Sequence, residues 1–146
     1  MKKLRVLFVC VHNSARSQMA EAFLNRLAGD DFEAESAGME PGVINPLVIE
    51  VMKDIGYDLS NNQSKGVYDF FKQGKTYHYV ISVCDEANAQ RCPTFPGLTK
   101  RINWSFEDPA SFSGTGEEKL EQTRLVRDKI MIEVKSFIDT YNQTKF

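Results

Sequence analysis

A short polar segment that follows an apolar run constrains the fold of this chain more than any other feature. Val6 to Val9 is a continuous apolar run typical of a buried strand, and the residues after Ser17 have helical apolar spacing. Between them, Cys10 to Ser17 reads Cys-Val-His-Asn-Ser-Ala-Arg-Ser. A loop that joins a strand to a helix points backbone N–H groups and the positive end of the helix dipole at one spot. The sequence therefore predicts a strand, an anion-binding loop and a helix in succession.

This loop carries the residue types that nucleophilic attack at an oxyanion requires. Five residues separate Cys10 from Arg16, so a curled loop can turn the thiol and the guanidinium toward one bound anion. The helix N-terminus, Arg16 and nearby serine hydroxyls favour the thiolate of Cys10, which is the nucleophilic form. Arg16 can bind two oxygens of a tetrahedral dianion at once. The predicted oxyanion-binding loop consists of Val11, His12, Asn13, Ser14, Ala15, Arg16 and Ser17.

Several of these residues also have an ordinary structural interpretation. Cys10 would be a small buried hydrophobe at a strand end and Arg16 a solvated residue at a helix start. The position of the motif between a strand and a helix favours the active-site interpretation. Asn13 tolerates the left-handed conformation, and we expect it to hydrogen-bond across the loop. We interpret His12 as a loop residue, because an activated thiol beside an arginine needs no separate base.

Composition limits the remaining possibilities. The chain has 146 residues, 42% hydrophobic and 26% charged, which fits a single domain over residues 1–146. A formal net charge of −2 predicts no general attraction to nucleic acid or to anionic membranes. Polar residues interrupt the first apolar run too soon for a signal peptide. Three cysteines are an odd number that favours reactive thiols in a reducing compartment, so we expect a cytoplasmic location.

Apolar spacing and turn residues predict strands that alternate with helices. The predicted strands are Val6 to Val9, Phe32 to Ala37, Tyr79 to Val83 and Lys100 to Trp104. The first predicted helix has Met19, Phe23 and Leu27 on its apolar stripe and ends near Gly29. The second runs from Asn45-Pro46 through Ile55 to Gly56. A short third helix lies around Val67 to Phe71, and the last spans Glu117 to Tyr141. This alternation predicts an α/β fold with a doubly wound parallel sheet and helices on both faces.

Ligands of such folds bind beyond the carboxyl ends of the strands, where three features of this sequence fall. These features are Cys10, Cys84 and the acidic loop Glu107-Asp108-Pro109. Pro109 restrains the backbone of Asp108 to an extended conformation and so fixes where its carboxyl group points. Asp108 is therefore either a general acid for a leaving oxygen or an ordinary loop opener.

The other two cysteines, Cys84 and Cys92, flank a segment whose composition favours a helical turn. A helix of this length would hold the two thiols about 12 Å apart, whereas a disulfide needs Cα atoms about 5.5 Å apart. A disulfide between them therefore requires the turn to unwind. We expect Arg91 to favour the thiolate of Cys92, and the spacing is unlike that of zinc ligands, so we expect no metal. In the alternative interpretation, Cys84 belongs to the core and Cys92 is a loop thiol without a role.

These motifs resemble the low-molecular-weight protein tyrosine phosphatase family, and within it the thioredoxin-coupled arsenate reductases, over almost the whole chain. The segments that carry the resemblance are Cys10 to Glu21, Ser36-Ala37-Gly38, Asn45-Pro46, Val83-Cys84, Cys92-Pro93, Trp104 to Ala110 and Arg124 to Asp128. The resemblance implies a four-stranded parallel sheet with helices on both sides. It also implies that Cys10 is the nucleophile, Arg16 the oxyanion clamp and Asp108 the general acid.

In the reductases, cysteines that match Cys84 and Cys92 complete a redox relay. By similarity, the Cys10 thiolate attacks arsenate, Cys84 attacks Cys10 and releases arsenite, and Cys92 takes over the disulfide. Thioredoxin or a similar thiol carrier then supplies the reducing equivalents, with no bound cofactor. The alternative is a phosphatase with the same nucleophile, clamp and acid, which hydrolyses a phosphocysteine. Phosphatases of this fold usually have tyrosines after the Asp-Pro pair, whereas this chain has Ala110 to Phe112.

Three residues depart from the pattern of the family. His12 stands where many members have glycine, and Ala15 replaces a second loop cysteine. Lys65 stands where some reductases have an acidic residue that helps to bind potassium. The other positions of that potassium site match Asn13, Glu21 and Ser36. We therefore expect no potassium site here, and predict that the ammonium of Lys65 occupies the place of the cation.

Overall fold

The computed structural model describes residues 3–144. Its strands are β1 (Leu4–Cys10), β2 (Phe32–Gly38), β3 (Tyr79–Ser82) and β4 (Lys100–Asn103). They form a parallel sheet in the order β2-β1-β3-β4. The helices are α1 (Arg16–Ala28), α2 (Pro46–Lys53), α3 (Val67–Lys72), α4 (Glu86–Ala89) and α5 (Gly116–Gln143), and a 3-10 turn spans Pro109–Ser111. The prediction of an α/β fold with a four-stranded parallel sheet is confirmed.

One face of the sheet packs against the long C-terminal helix. The ring of Phe8 on β1 contacts Trp104 at a centroid distance of 5.9 Å, and Trp104 contacts Phe137 on α5 at 5.9 Å. Helices α1 and α2 also pack against α5. These helices therefore cover the face to which Phe8 points.

The opposite face carries α3. Side chains alternate along a strand, so Arg5 points away from the Phe8 face. Arg5 forms an ion pair of 2.9 Å with Glu35, which also pairs with Lys75 at 2.7 Å. The ammonium of Lys75 lies 4.4 Å from the ring centroid of Phe70 on α3. Helices thus lie on both faces, as predicted.

The centre of the core is β1, whose residues from Val6 to Val9 are fully buried. Met19 and Phe23 on the predicted stripe of α1 are also buried, whereas Leu27 is 43% exposed. The predicted stripe is therefore wrong at its last position, where Leu27 is exposed although the next residue, Ala28, packs against the core.

Helix α2 begins as predicted and ends earlier. The side chain of Asn45 accepts a hydrogen bond of 2.9 Å from the N–H of Leu47, and proline occupies the first turn. The helix stops at Lys53 rather than continuing to Gly56. Gly56 has a φ of +86°, and the next N–H, of Tyr57, bonds 2.9 Å back to the carbonyl of Met52. This left-handed helix end closes the helix before the predicted boundary.

The C-terminal helix α5 begins with a reciprocal cap. Thr115 accepts from the N–H of Glu118, and the Glu118 side chain accepts from the N–H of Thr115. Within residues 3–144, none of the helices combines the length and the apolar character needed to cross a membrane.

Candidate functional site

The loop between β1 and α1 is held by backbone bonds from the segment that follows β2. The carbonyls of Val11, His12 and Ser14 accept from Glu40 N–H at 2.7 Å, Gly42 N–H at 3.0 Å and Asn45 N–H at 2.9 Å. Because these carbonyl groups bond outward, the concave side of the loop is left to N–H groups. The loop therefore has the form of an anion-binding cradle.

Asn13 locks the shape of this loop. It has a φ of +52° and is fully buried, and its Nδ2 donates to Ser17 Oγ at 2.8 Å. Its Oδ1 accepts from the N–H of Lys65 at 2.9 Å and from Gln18 Nε2 at 3.0 Å. The predicted left-handed conformation and the bond across the loop are confirmed. The contacts from Gln18 and from the Lys65 backbone were not predicted, since nothing in the local pattern shows which distant segments reach Asn13.

Gly38 at the end of β2 is a second residue whose importance was missed. A Cβ atom at this position would lie 2.7 Å from both Asn13 N and Val11 O. Any side chain here would therefore push the loop out of shape. The only sequence signal was the glycine at the end of a predicted strand.

The sulfur of Cys10 lies at the base of the cradle and accepts from the loop itself. Asn13 N–H donates to Cys10 Sγ at 3.1 Å, and Ser17 Oγ is 2.8 Å from the same sulfur. Helix α1 begins after Ala15 with no side-chain cap and with no acidic residue in its first turn. The sulfur therefore lies among hydrogen-bond donors beside an uncapped helix N-terminus. Of the two loop serines, Ser17 places its hydroxyl beside the Cys10 sulfur, whereas Ser14 holds the loop through its backbone carbonyl.

Arg16 is buried at the first turn of α1 and is fixed from the far side of the site. Its side chain is 8% exposed, its Nη1 donates to the carbonyl of Phe106 at 3.1 Å, and its Nη2 lies 3.5 Å from Asp108 Oδ2. Arg16 Nε is buried and has no hydrogen-bond partner among residues 3–144. A buried donor without a partner is costly unless a ligand satisfies it, so Nε is available to an oxyanion.

The structure confirms the loop-opener interpretation of Asp108 and places its second carboxyl oxygen beside Arg16. Its backbone is extended, at φ −82° and ψ 116°, as the following proline requires, and its Oδ1 accepts from Ala110 N–H at 3.0 Å. This bond opens the 3-10 turn, so Asp108 is a loop opener. The other oxygen, Oδ2, faces Arg16. The same carboxyl group is therefore close to any anion that Arg16 binds.

Cys84 lies at the carboxyl end of β3 and is 1% exposed. Burial raises the pKa of its thiol to about 11. The positive charge of Arg16 lowers this pKa and the neighbouring thiol of Cys10 raises it. The pairing of Val9 with Ser82 on adjacent strands brings Cys10 and Cys84 to the same edge of the sheet.

Cys92 lies beyond α4 and is 5% exposed. Burial raises the pKa of its thiol to about 11, while Arg101 lowers it and Cys84 raises it. The predicted helical turn between the two cysteines is confirmed as α4, and all three cysteines are free thiols. The expectation that Arg91 supports the thiolate is wrong, because the Arg91 guanidinium pairs with Glu40 and the cation that acts on Cys92 is Arg101.

Lys65 lies beside Glu21, as the resemblance to the family implied. Its Nζ is 3.8 Å from Glu21 Oε1, and Ser36 Oγ donates to that same oxygen at 2.7 Å. Burial raises the pKa of Glu21, and the ammonium of Lys65 lowers it. Lys65 reaches Asn13 through its backbone N–H rather than through the ammonium. In the described part of the chain, no three His, Cys, Asp or Glu side chains are grouped to hold a metal ion.

The sequence that forms this site matches the model of a known family. The model of the family described as low molecular weight phosphotyrosine protein phosphatase matches residues 5–144. The chain belongs to this family. The matched residues include the strand–loop–helix unit that supplies both Cys10 and Arg16.

Several proteins similar to this chain are named arsenate reductases. An arsenate reductase from Halalkalibacterium halodurans is 39% identical over 140 residues, which cover 96% of this chain and 99% of the relative. A solved structure of an arsenate reductase in the phosphate-binding state has 30% identity and a TM-score of 0.75, over 94% of this chain and 98% of that one. A thioredoxin-dependent arsenate reductase from Corynebacterium glutamicum has 30% identity and a TM-score of 0.61, over 91% of this chain and 62% of that one.

Proposed function

We propose that this protein is an arsenate reductase that works through Cys10, Cys84 and Cys92, with thioredoxin or a similar thiol carrier as its reductant. The observation that carries the proposal is the placement of two buried thiols, Cys10 and Cys84, just after the paired positions Val9 and Ser82 of the adjacent strands β1 and β3. A phosphatase needs only the first thiol, whereas reduction of arsenate needs a second thiol beside it. The names of the relatives support the same activity.

The first step forms a bond between Cys10 and arsenic. The Cys10 thiolate attacks arsenate that is held by the N–H groups of the loop and by Arg16. One As–O bond breaks, and Asp108 donates a proton so that the oxygen leaves as water. Arg16 and the loop hold the remaining oxygens throughout, so the developing negative charge is stabilised without rearrangement.

The second step reduces the arsenic. Cys84 attacks the sulfur of Cys10, a disulfide forms between them, and the S–As bond breaks with its electron pair left on arsenic. Arsenite leaves. Cys92 then attacks Cys84, which releases Cys10 as a thiolate and leaves a Cys84–Cys92 disulfide for the carrier to reduce. Since α4 lies between these two cysteines, the segment must unwind for this disulfide to form.

The same site also supports a second candidate function, hydrolysis of a phosphate monoester through a phosphocysteine. Its first step uses Cys10, Arg16 and Asp108 in the same way. The residues that follow Pro109, Ala110 to Phe112, contain no tyrosine to hold an aromatic substrate ring. We therefore propose residual phosphatase activity and not a tyrosine phosphatase.

Two assays on one preparation test these functions. Arsenate, thioredoxin, thioredoxin reductase and NADPH should give continuous NADPH oxidation, and a phosphotyrosine analogue should give slow hydrolysis. Fast hydrolysis without arsenate-dependent NADPH oxidation would favour the phosphatase. Neither activity, with retained phosphate binding, would indicate an oxyanion-binding protein. We place the reaction in the cytoplasm, where a reducing environment keeps the three cysteines as thiols.

A further inference from the structure

Arg101 on β4 contacts the segment that carries Cys92. Its Nη2 lies 3.4 Å from the carbonyl oxygen of Ala89 and 3.4 Å from that of Cys92. Ala89 is the last residue of α4. A guanidinium is well suited to this position, because the carbonyl groups at a helix C-terminus carry partial negative charge and lack partners within the helix. One arginine thus holds both the end of α4 and the backbone of the Cys92 residue.

A cavity of about 400 Å³ brings the Cys92 and Arg101 side chains together. It lies between α4 and the edge formed by β3 and β4, and both residues line it. The other polar residues of its lining are Ser82, Glu86, Gln90 and Asn103. Cys92 therefore borders the same space as the positively charged Arg101, and its thiol donates to the carbonyl of Pro93 at 3.5 Å.

The charges around Cys92 single out Arg101. Arg91 is adjacent in sequence, but its guanidinium pairs with Glu40 and with the Asn88 side chain. Glu86 also lines the cavity, and the neighbouring Cys84 raises the pKa of Cys92. Arg101 is the cation that lowers the pKa of Cys92 against the effect of burial.

We propose that Arg101 is a positioning residue for Cys92, which holds the thiol beside its cavity and favours the thiolate that attacks Cys84. This role rests on the proposed relay. In that step, the proton of the Cys92 thiol leaves to solvent, a Cys84–Cys92 bond forms, and the Cys10–Cys84 bond breaks with Cys10 leaving as a thiolate. Because Arg101 belongs to the sheet and not to the segment that unwinds, its charge remains in place while Cys92 moves.

The test begins with the variant Cys10→Ser, Cys84→Ser, in which Cys92 is the only thiol. Its alkylation by iodoacetamide is followed from pH 8 to 11.5, with circular dichroism to verify the fold. Adding Arg101→Gln should move the midpoint of the profile to higher pH and slow alkylation at a given lower pH by about threefold to tenfold. Adding Arg101→Lys should leave the midpoint close to that of the parent, and Arg91→Gln is the matched control and should not move it.

Loss of Arg101 also loosens the segment, which would accelerate alkylation and, because burial raises the pKa of Cys92, move the midpoint to lower pH. Loss of the positive charge moves the midpoint in the opposite direction, and hydrogen exchange of residues 85–92 measures the loosening directly. An unchanged midpoint in Arg101→Gln, or an equal shift in Arg91→Gln, would overturn the proposal.

A second measurement uses the chain with all three cysteines. After one turnover with arsenate, Arg101→Gln should accumulate a Cys10–Cys84 disulfide, and Arg91→Gln should not. Absence of that species in Arg101→Gln while arsenite is released would contradict the role of Arg101. If the wild-type chain releases no arsenite, the proposed function fails, whereas the alkylation profile still decides whether Arg101 acts on Cys92.

Discussion

Arg16 Nη2 lies 3.5 Å from Asp108 Oδ2, and this pair closes the oxyanion site from two sides. Arg16 comes from the first turn of α1, while Asp108 comes from the loop after β4. The carbonyl of Phe106, on the same loop, accepts from the other terminal nitrogen of Arg16. The loop that carries Asp108 therefore also orients Arg16, so changes in one residue should affect the other.

The first prediction concerns Asp108→Asn. The first chemical step should slow by about two to four orders of magnitude, because the leaving oxygen loses its proton donor. Anion binding should change little or improve, because the negative charge beside Arg16 is removed. Rapid-quench measurement of the single-turnover rate, with the dissociation constant for phosphate measured in parallel, tests both parts. An unaltered single-turnover rate would leave Asp108 with only its role at the 3-10 turn.

The second prediction concerns the clamp. Arg16→Lys should reduce kcat/KM for arsenate severely, because an ammonium cannot bind two oxygens with a planar fork. It also loses the contact with the Phe106 carbonyl. Steady-state kinetics measures the loss, and Cys10→Ser, whose hydroxyl is not ionised at neutral pH, provides the background without a nucleophile. Wild-type kinetics in Arg16→Lys would exclude the clamp.

The third prediction distinguishes a reductase from a phosphatase with two unrelated thiols. Cys92→Ser should release about one arsenite per protein and then stop with Cys10 bonded to Cys84. Cys84→Ser should release none and keep its phosphatase activity at Cys10. Peptide mapping identifies the trapped disulfide. Sustained thioredoxin-dependent turnover in Cys92→Ser would exclude Cys92 from the relay.

The fourth prediction concerns the pH dependence of the relay. Since burial raises the pKa of Cys84 to about 11, only a small fraction is thiolate at neutral pH, and this fraction rises with pH. The rate of arsenite release in Cys92→Ser should therefore increase by up to about tenfold per pH unit between about pH 7 and 9. Stopped-flow or quenched-flow release measures this rate. A flat profile would show that ionisation of Cys84 does not limit the step.

The fifth prediction concerns Lys65 and Glu21. Burial raises the pKa of Glu21, so its carboxylate destabilises the fold as the pH rises through that pKa, and the Lys65 ammonium offsets this cost. Lys65→Met should therefore reduce the free energy of unfolding more at pH 7 than at pH 5, by about 1 kcal/mol or less for such a partly exposed pair. Denaturant titrations at both pH values measure it, with Lys65→Arg as the charge-preserving control.

If Lys65 stands in place of a cation, the wild-type protein should respond equally to sodium and potassium at matched ionic strength. Thermal unfolding and turnover in the two salts check this expectation. A stimulation specific to potassium would contradict it, as would a loss of stability in Lys65→Met that is independent of pH.

The sequence predicted those parts of the site that depend on neighbouring residues. The polar loop after an apolar strand, the left-handed Asn13, the cap at Asn45 and the extended Asp108 all follow from local backbone preferences and hydrogen-bonding capacity. The alternation of strands and helices also predicted the parallel sheet, because a parallel connection requires a crossover. In contrast, the predicted end of α2 at Gly56 was wrong, because apolar spacing does not show that the helix ends at Lys53 and the chain turns over the next residues.

Contacts between distant segments were decided by the tertiary structure alone. Gly38 must be small because the loop passes against β2, and Arg16 is fixed by a carbonyl that is 90 residues away. Arg91 is next to Cys92 in the chain, yet Arg101 is the cation that acts on its thiol, because the sheet brings β4 under the end of α4. Electrostatic influence depends on distance in space and on burial, neither of which the order of residues specifies.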